Sequence, residues 1–421
     1  MDKVFASIIT IGDELLIGQV VDTNSAWMAQ ELNRIGVWMH HRVAIGDVKE
    51  EIVRALEEEG KRSHIVLITG GLGPTADDIT KPVLNEYFGG KLVVNEEALE
   101  RVKAIFKRIN MPEIAMLERN LKQAEVPDVC TVIQNAKGTA PGMWFEKDGK
   151  VFVSMPGVPF EMKGMMTDYV LPHLQQQFTM PHIGHRTLLT AGIGESALAE
   201  RIKDFEAALP DHFKLAYLPN FGMVRLRLTA NGAVATQIEQ ELDIQFSALQ
   251  AIIPDVTVVN EDIPMEELIG RLLLQKNATL ATAESCTGGY IAHLLTSIAG
   301  SSDYFNGSVV SYSNRVKQEV LHVNKETLDT VGAVSEDTVK QMVTQVRQLL
   351  HTDYAIAVSG IMGPGGGTPD KPVGLVWIAV ANAKQVVTKQ FNFRFDRMRN
   401  IQLTATNALN LLRLLIVDNQ S

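Results

Sequence analysis

Cysteine is nearly absent: the chain has 421 residues and two cysteines, Cys130 and Cys286. A pair so far apart makes neither a disulfide framework nor a metal-ligand spacing, and it suits a reducing cytosol. Positive charge is also scarce. Against 49 acidic residues stand 39 basic ones, for a net charge of -10. A field of that sign disfavours non-specific contact with nucleic acid, and no basic-aromatic cluster offers a dedicated nucleic-acid surface. Long apolar runs are missing too. None approaches the ~20 residues of a membrane span, and the opening MDKVFASIITIGDELL lacks a signal-peptide core. Internal repeats and low-complexity segments are not found. These absences predict a cytoplasmic protein without direct nucleic-acid binding or membrane attachment.

What is present is the mix of a folded protein, 46% hydrophobic and 21% charged. The length exceeds one ordinary core and predicts two or three domains. In the first part, strand patterns (KVFASIITIG, VWMHHRVAIG, SHIVLITGG, KVFVSMPG) are separated by helical ones over Asn24–Ile35 and Asp47–Glu59, with another from Pro159 to about Gln177. Alternation of this kind predicts parallel βαβ units and a sheet covered on both faces. Residues 181–255 differ. Strand HRTLLTAGIG, a helix over Glu195–Ala208, the strand pair FKLAYLP and GMVRLRLTA, a helix over Val234–Leu249 and DVTVV read as a small α+β module. The third part repeats an α/β cycle: helix Met265–Gln275, strand ATLATA, a helix after Thr287, strand SVVSYS, helices around Lys325 and Glu336, and strands TDYAIAVSG, GLVWIAVA and QVVTKQFNF. A helix from Arg397 to about Val417 closes it. The predicted fold is therefore α/β, with domains over 1–178, 179–260 and 261–421.

In such sheets a site lies beyond the carboxyl ends of the strands, and the chemistry-bearing motifs fall there. AESCTGG, residues 283–289, sits at a strand-to-helix junction. Its helix N–H groups can bind an anion, and Gly288 and Gly289 permit close backbone approach, which suits an oxyanion hole beside Ser285. It reads equally as a capped helix start, and Cys286 competes with Ser285 as nucleophile. No histidine stands in a context that suggests a base. SYSNRVK places Tyr312, Asn314 and Lys317 past a strand end, and a lysine becomes a base when burial lowers its pKa; otherwise it is a solvated surface lysine. GIMGPGGGTPDKPVG, 360–374, has six glycines in fifteen residues but no GKS or GKT. It can wrap a phosphate through backbone N–H groups or simply connect two strands. Arg399, in FDRMRN, could meet a phosphate or carboxylate.

Taken together, AESCTGG, SYSNRVK, AVSGIMGPGGG and FDRMRN resemble the C-terminal domain of the CinA (competence/damage-inducible protein A) family. The resemblance spans about 263–421 and implies a nicotinamide-mononucleotide deamidase releasing nicotinate mononucleotide and ammonia, with no cofactor. It further implies that Ser285 is the nucleophile, Lys317 its base and Tyr312 an orienting residue. Backbone N–H groups around Cys286, Thr287, Gly288 and Gly289 would hold the oxyanion. Asn314 would bind substrate, Ser359, Gly360 and Gly363 would line the ribose-phosphate end, and Arg399 would lie near the substrate. The family often has threonine where Ser359 stands; a hydroxyl is kept.

Four strand tips converge in the first part. TIGDELLIGQVVDTN brings Gly12, Asp13, Glu14 and Asn24; Asp47 follows the second strand; TGGLGPTADD brings Gly70, Gly71, Gly73, Thr75, Asp77 and Asp78; MPGVPFEM brings Gly157, Pro159 and Glu161. Small residues admit a ligand to the backbone, and paired carboxylates invite a hard cation that bridges to diphosphate oxygens; the same pattern also describes a turn with an acidic cap. TGGLGPTADD, GTAPGM and MPGVPFEM resemble the molybdopterin-binding domain of molybdenum-cofactor enzymes, a three-layer α/β fold, in the version fused to CinA. This resemblance implies an ADP-ribose pyrophosphatase with Mg²⁺ or Co²⁺, yielding AMP and ribose 5-phosphate. Asp78 and Asp47 correspond to its essential acidic positions, for metal binding or as base. Residues 181–255 resemble the family's small linker module, which carries no catalysis. A homodimer is the family's expected state.

Overall fold

The computed structural model of the chain describes residues 3–75, 77–108, 122–220 and 222–418. Two compact units are present: 1–185 with 229–243, and 186–228 with 244–421.

In the first unit the sheet order is β2-β1-β3-β8-β7-β6. Its strands are β1 (Phe5–Ile11), β2 (Trp38–Ile45), β3 (Ile65–Thr69), β6 (Thr131–Ile133), β7 (Gly142–Lys147) and β8 (Lys150–Met155). The β1–β2, β1–β3 and β3–β8 pairs are parallel, as the alternation predicts. β7 and β6 extend the sheet antiparallel, so it is mixed, since a tight turn at Asp148–Gly149 joins β7 to β8 where no helix intervenes. A short pair, β4 (Leu92–Val94) and β5 (Glu125–Pro127), forms a second ladder.

The strands divide their side chains between two cores, as a three-layer fold requires. Ala6, Ile8, Ile65, Leu67, Val151 and Val153 pack with Met28, Leu32 and Met162 on one face. Ile9, Ile11, Val66, Ile68 and Phe152 pack with Ile52, Leu56, Val83 and Leu84 on the other. Those partners come from helices Thr23–Arg34 and Pro159–Met165, and from Lys49–Arg62 and Thr80–Phe88, respectively. The last of these, and helix Glu96–Arg108, were not anticipated.

A small sheet of order β10-β11-β9-β12 follows, with β9 (His182–Ala191), β10 (Phe213–Asn220), β11 (Met223–Gly232) and β12 (Thr257–Val259), alongside helices Glu195–Ala207 and Ala235–Ile252.

The last sheet has order β14-β13-β15-β16-β17, from β13 (Leu280–Glu284), β14 (Phe305–Val310), β15 (Tyr354–Gly360), β16 (Leu375–Ala381) and β17 (Val386–Asn392). β13 is parallel to both β14 and β15, while β16 and β17 run antiparallel. Ala281, Ala283, Ala355, Ala357, Ala379 and Ala381 share the face covered by Val339, Met342, Val343 and Val346 of helix Glu336–Leu349. Small side chains there let the helix approach closely. The opposite face, with Leu280, Ile356, Val358, Val376 and Ile378, packs on helices Met265–Gln275 and Arg397–Asp418. β14 stops at Val310 instead of running to Ser313, which leaves Ser311 to Ser313 as a loop beyond the sheet edge.

Candidate active sites

The carboxyl ends of the three parallel strands in the last sheet converge on a cavity of about 280 Å³. Ser285, Cys286, Tyr312, Asn314, Lys317, Ser359, Gly360, Gly363 and Arg397 all line it. Ser285 follows β13 directly, and its amide donates to the Val358 carbonyl of β15 (3.1 Å). Lys317 comes from the short helix Asn314–Glu319, capped by Ser313, whose hydroxyl accepts from the Val316 amide. Its side chain is 1% exposed. Nζ lies 2.9 Å from Ser285 Oγ and donates to the Ser311 carbonyl at 2.6 Å. Burial disfavours the ammonium form, pulling the lysine pKa down to about 8. A buried amine beside a hydroxyl, with one N–H spent on a carbonyl, is an arrangement in which the amine can accept the hydroxyl proton.

Cys286 is buried, and desolvation pushes its thiol up to about 12. It is a neutral thiol at neutral pH, and the thiolate is the nucleophilic form. His293 is exposed on helix Tyr290–Thr296.

The oxyanion donors differ from the expectation. Helix Tyr290–Thr296 does not present free N–H groups. The carboxylate of Glu284, fully buried, accepts from the amides of Gly289 (3.1 Å), Ile291 (3.0 Å) and Ala292 (2.8 Å), and from the Thr287 hydroxyl (2.6 Å). The Gly288 amide turns back to the Ser285 carbonyl. Gly288 and Gly289, at φ of 64° and 99°, make this left-handed turn possible. Thr287, Gly288 and Gly289 therefore shape the turn and do not line the cavity. Only the amides of Cys286 and Thr287 lack an acceptor among the described residues of this turn.

Arg399 is a second correction. Its guanidinium lies over the exposed Phe395 ring, 4.6 Å from the centroid, and outside the cavity. Arg397 enters instead, donating to the Gly363 carbonyl (2.9 Å) and the Tyr312 hydroxyl (3.0 Å). Buried Asn400 donates to the carbonyls of Met362 and Phe395 and so ties the glycine-rich loop to the segment that leads into Arg397. Ser359 spends its hydroxyl proton on the Ala333 carbonyl (2.7 Å), which brings Ala333 and Val334 to the rim.

The first unit carries a larger cavity, about 510 Å³, at the carboxyl ends of β1, β2, β3 and β8. Gly12, Glu14, Asn24, Asp47, Gly70, Gly71, Gly73, Asp78, Gly157, Pro159 and Glu161 line it as expected, joined by Asp22, Asp77, Gln123 and Thr139. Thr75 does not. It donates its amide (2.9 Å) and hydroxyl to Asp78, which also accepts from the Gly73 amide (2.8 Å). Asp78 thus holds its own loop in place. At Gly70 a Cβ would stand 2.1 Å from the Ile11 carbonyl oxygen, so the tips of β1 and β3 meet only because no side chain intervenes.

Asp47 is raised above the usual carboxylate range, first by burial and then by the charges of Asp13, Glu14 and Asp77. Burial likewise raises Glu161, which accepts from Asn135 (2.6 Å). Crowded carboxylates fit a cation, but no three acids, histidines or cysteines among the described residues converge as a ready ligand set. The fit is to a hard ion such as Mg²⁺, held through one or two carboxylates and completed by water and phosphate oxygens. Asp47 and Asp78, which both line the cavity, would be the protein ligands. Behind this wall Lys81 is lowered to about 8 by burial and ties Nζ to the carbonyls of Lys122 and Gln123.

No described helix is long and apolar enough to cross a membrane. Three family models match the chain: "Probable molybdopterin binding domain" over 7–176, "Damage-inducible protein CinA KH domain" over 185–255, and "CinA C-terminal domain" over 262–416. A CinA-like protein of Cytophaga hutchinsonii is 46% identical over 410 residues, covering 97% of each chain. Another, of Flavobacterium psychrophilum, is 44% identical over 417 residues and covers 99% of each. Among solved structures, the competence/damage inducible protein CihA of Agrobacterium tumefaciens is 36% identical, covering 38% of this chain and 99% of that one, with a TM-score of 0.35. With full-length relatives at this identity, the chain belongs to the CinA-like family, a molybdopterin-binding-type domain, a KH module and a CinA C-terminal domain in one polypeptide.

Proposed function

We propose that the C-terminal site hydrolyses the carboxamide of nicotinamide mononucleotide. The observation that carries this reading is the buried Lys317 Nζ at 2.9 Å from Ser285 Oγ. At neutral pH about a tenth of such a lysine is the free amine, enough to act as base. Ser285 Oγ attacks the amide carbon and passes its proton to Lys317. The amide of Cys286, the turn residue that lines the cavity, receives the developing oxyanion. Lys317 then returns the proton to the departing nitrogen, ammonia leaves, and water attacks the acyl-serine by the same route. Arg397 offers a fixed cation in the cavity wall for the substrate's phosphate. Ammonia release from nicotinamide mononucleotide tests this, without added metal. Loss of release in Ser285→Ala and Lys317→Ala, with the fold intact, supports it; near-normal turnover in either removes the dyad.

For the N-terminal cavity we propose metal-dependent hydrolysis of ADP-ribose to AMP and ribose 5-phosphate. The crowding of Asp47 by Asp13, Glu14 and Asp77 supports a cation there. A bound Mg²⁺ or Co²⁺ would neutralise the diphosphate and polarise it toward attack. A second reading is favoured by the commitment of Asp78 to its own loop and by the lack of a three-donor ligand set among the described residues: a nucleotide- or pterin-binding domain without catalysis. AMP formation from ADP-ribose with Mg²⁺ or Co²⁺ separates the two.

A further inference from the structure

Glu284 has no part in the chemistry above, yet it is the most heavily engaged side chain around the site. It ends β13, is 0% exposed, and directly precedes the nucleophile. Oε2 accepts from Thr287 Oγ1, Gly289 N and Ile291 N; Oε1 accepts from Ala292 N at 2.8 Å and Thr282 Oγ1 at 3.4 Å. Every partner is a donor, which matches an acceptor-only carboxylate. The turn it closes is pinned from its other side as well, by Ser285 N to Val358 O and Gly288 N to Ser285 O.

We propose that Glu284 is the positioning residue of the Ser285–Lys317 site. It folds the turn 285–289 around its own carboxylate and occupies the amides a helix start would otherwise offer to an anion. Two consequences follow. A negative group of the substrate is refused at this helix start, because a carboxylate already sits there. The oxyanion is left to the amide of Cys286, the turn residue that lines the cavity, and the Thr287 hydroxyl bond to Glu284 holds the turn that carries it. Glu284 acts through the backbone and touches no reacting atom. This inference rests on the reading of Ser285 as a nucleophile activated by Lys317, but not on the identity of the amide substrate.

The experiment measures two rates on the full chain. The first is covalent labelling of Ser285 by diisopropyl fluorophosphate, followed by mass spectrometry. Ser285 Oγ bonds to phosphorus, the P–F bond breaks, fluoride leaves, and the serine proton passes to Lys317. The phosphoryl oxygen takes the oxyanion position, so labelling needs the donors whatever the natural substrate. The second is ammonia release from nicotinamide mononucleotide.

Glu284→Gln places an NH₂ against amide donors and is expected to slow labelling about 100-fold, the loss seen when one oxyanion donor is removed. Thr287→Val keeps the side-chain shape but drops the hydroxyl; it serves also if Glu284→Gln does not fold, and is expected to slow labelling about tenfold. Thr287→Ser restores the hydroxyl and should recover the rate to within about threefold of wild type. Ammonia release should fall in proportion through kcat, with KM steady. A purely structural role predicts a smaller labelled fraction at an unchanged rate constant, and that result overturns the proposal. Wild-type rate constants in both Glu284→Gln and Thr287→Val overturn it too, as does a wild-type protein that resists the reagent altogether. Labelling slowed as expected, in a protein that releases no ammonia, sustains the positioning role and removes the substrate instead.

Discussion

Lys317→Met should make the protein more stable at neutral pH while it abolishes the C-terminal activity. The lysine is buried, and its pKa falls from 10.5 to about 8 on folding. At about 1.4 kcal/mol for each tenfold change in the proton equilibrium, carrying the ammonium inside the fold costs ~3 kcal/mol. Methionine matches the stem of the chain and removes that cost. It also leaves the buried Ser311 carbonyl without its partner, which costs about 1–3 kcal/mol, while the Ser285 hydroxyl faces the cavity. The net change expected at pH 7 is a gain of up to ~2 kcal/mol.

The pH dependence separates this account from simple repacking. Below about pH 8 both folded and unfolded wild-type chains hold the proton, and the full cost is present. Between about 8 and 10.5 the unfolded chain holds a proton that the folded one has released. Wild-type stability therefore rises with pH across that window, relative to the variant. The advantage of methionine should shrink from pH 7 to pH 10 and reverse, since only the lost hydrogen bonds remain. Urea unfolding followed by far-UV circular dichroism, variant against wild type at each pH, reads this directly; if the two units unfold separately, only the transition of the second should move. A variant less stable at pH 7 by an amount independent of pH would refute the claim that Lys317 is buried at the expense of stability.

Cys286→Ala should keep deamidation within about tenfold of wild type, and iodoacetamide at pH 7.5 should not inactivate the enzyme, because the buried thiol ionises only near pH 12. Rapid inactivation traced to Cys286 would restore it as nucleophile. Arg397→Ala should weaken nicotinamide mononucleotide turnover at least ~30-fold, whereas Arg399→Ala should stay within about twofold, since Arg399 lies on Phe395 outside the cavity; kinetics of the pair in the opposite order would return the role to Arg399. Asp47→Asn should remove metal-dependent AMP release from ADP-ribose and leave ammonia release from the other unit intact; loss of both activities in a folded protein would contradict independent sites.

The placement of both cavities was legible because it follows from strand direction alone. Apolar runs ending in glycine or acid, separated by helices, put Gly12, Asp47, Gly70 and Gly157 at one edge, and the β1, β2, β3 and β8 ladders place them there. The C-terminal ensemble came from motif resemblance, and its members Ser285, Lys317 and Ser359 stand at three adjacent strand ends. Helix Glu96–Arg108 could have been found: Asn95 accepts from the Ala98 amide, and Glu96 and Glu97 occupy its first turn, an ordinary start signal. The choice between Arg397 and Arg399 could not be made from spacing. Two residues turn a helix by about 200°, so the two side chains point apart, and which one enters the cavity depends on where the helix begins. The start itself is capped by Asp396, whose carboxylate accepts from the Arg399 amide, but the first turn is tied to the cavity by Asn400 reaching the Met362 carbonyl, a contact far apart in sequence. Glu284 was hidden for a different reason. A carboxylate at the end of an apolar strand reads as the first solvated residue past the core. Here it is buried, and what makes burial tolerable is a set of backbone amides five to eight positions later, supplied by a turn that exists only with Gly288 and Gly289 in left-handed conformations. Sequence patterns record where side chains prefer to go, whereas this residue's environment is made of main chain. The proposed oxyanion site inherits the same property: its donor is a main-chain amide that the carboxylate leaves over.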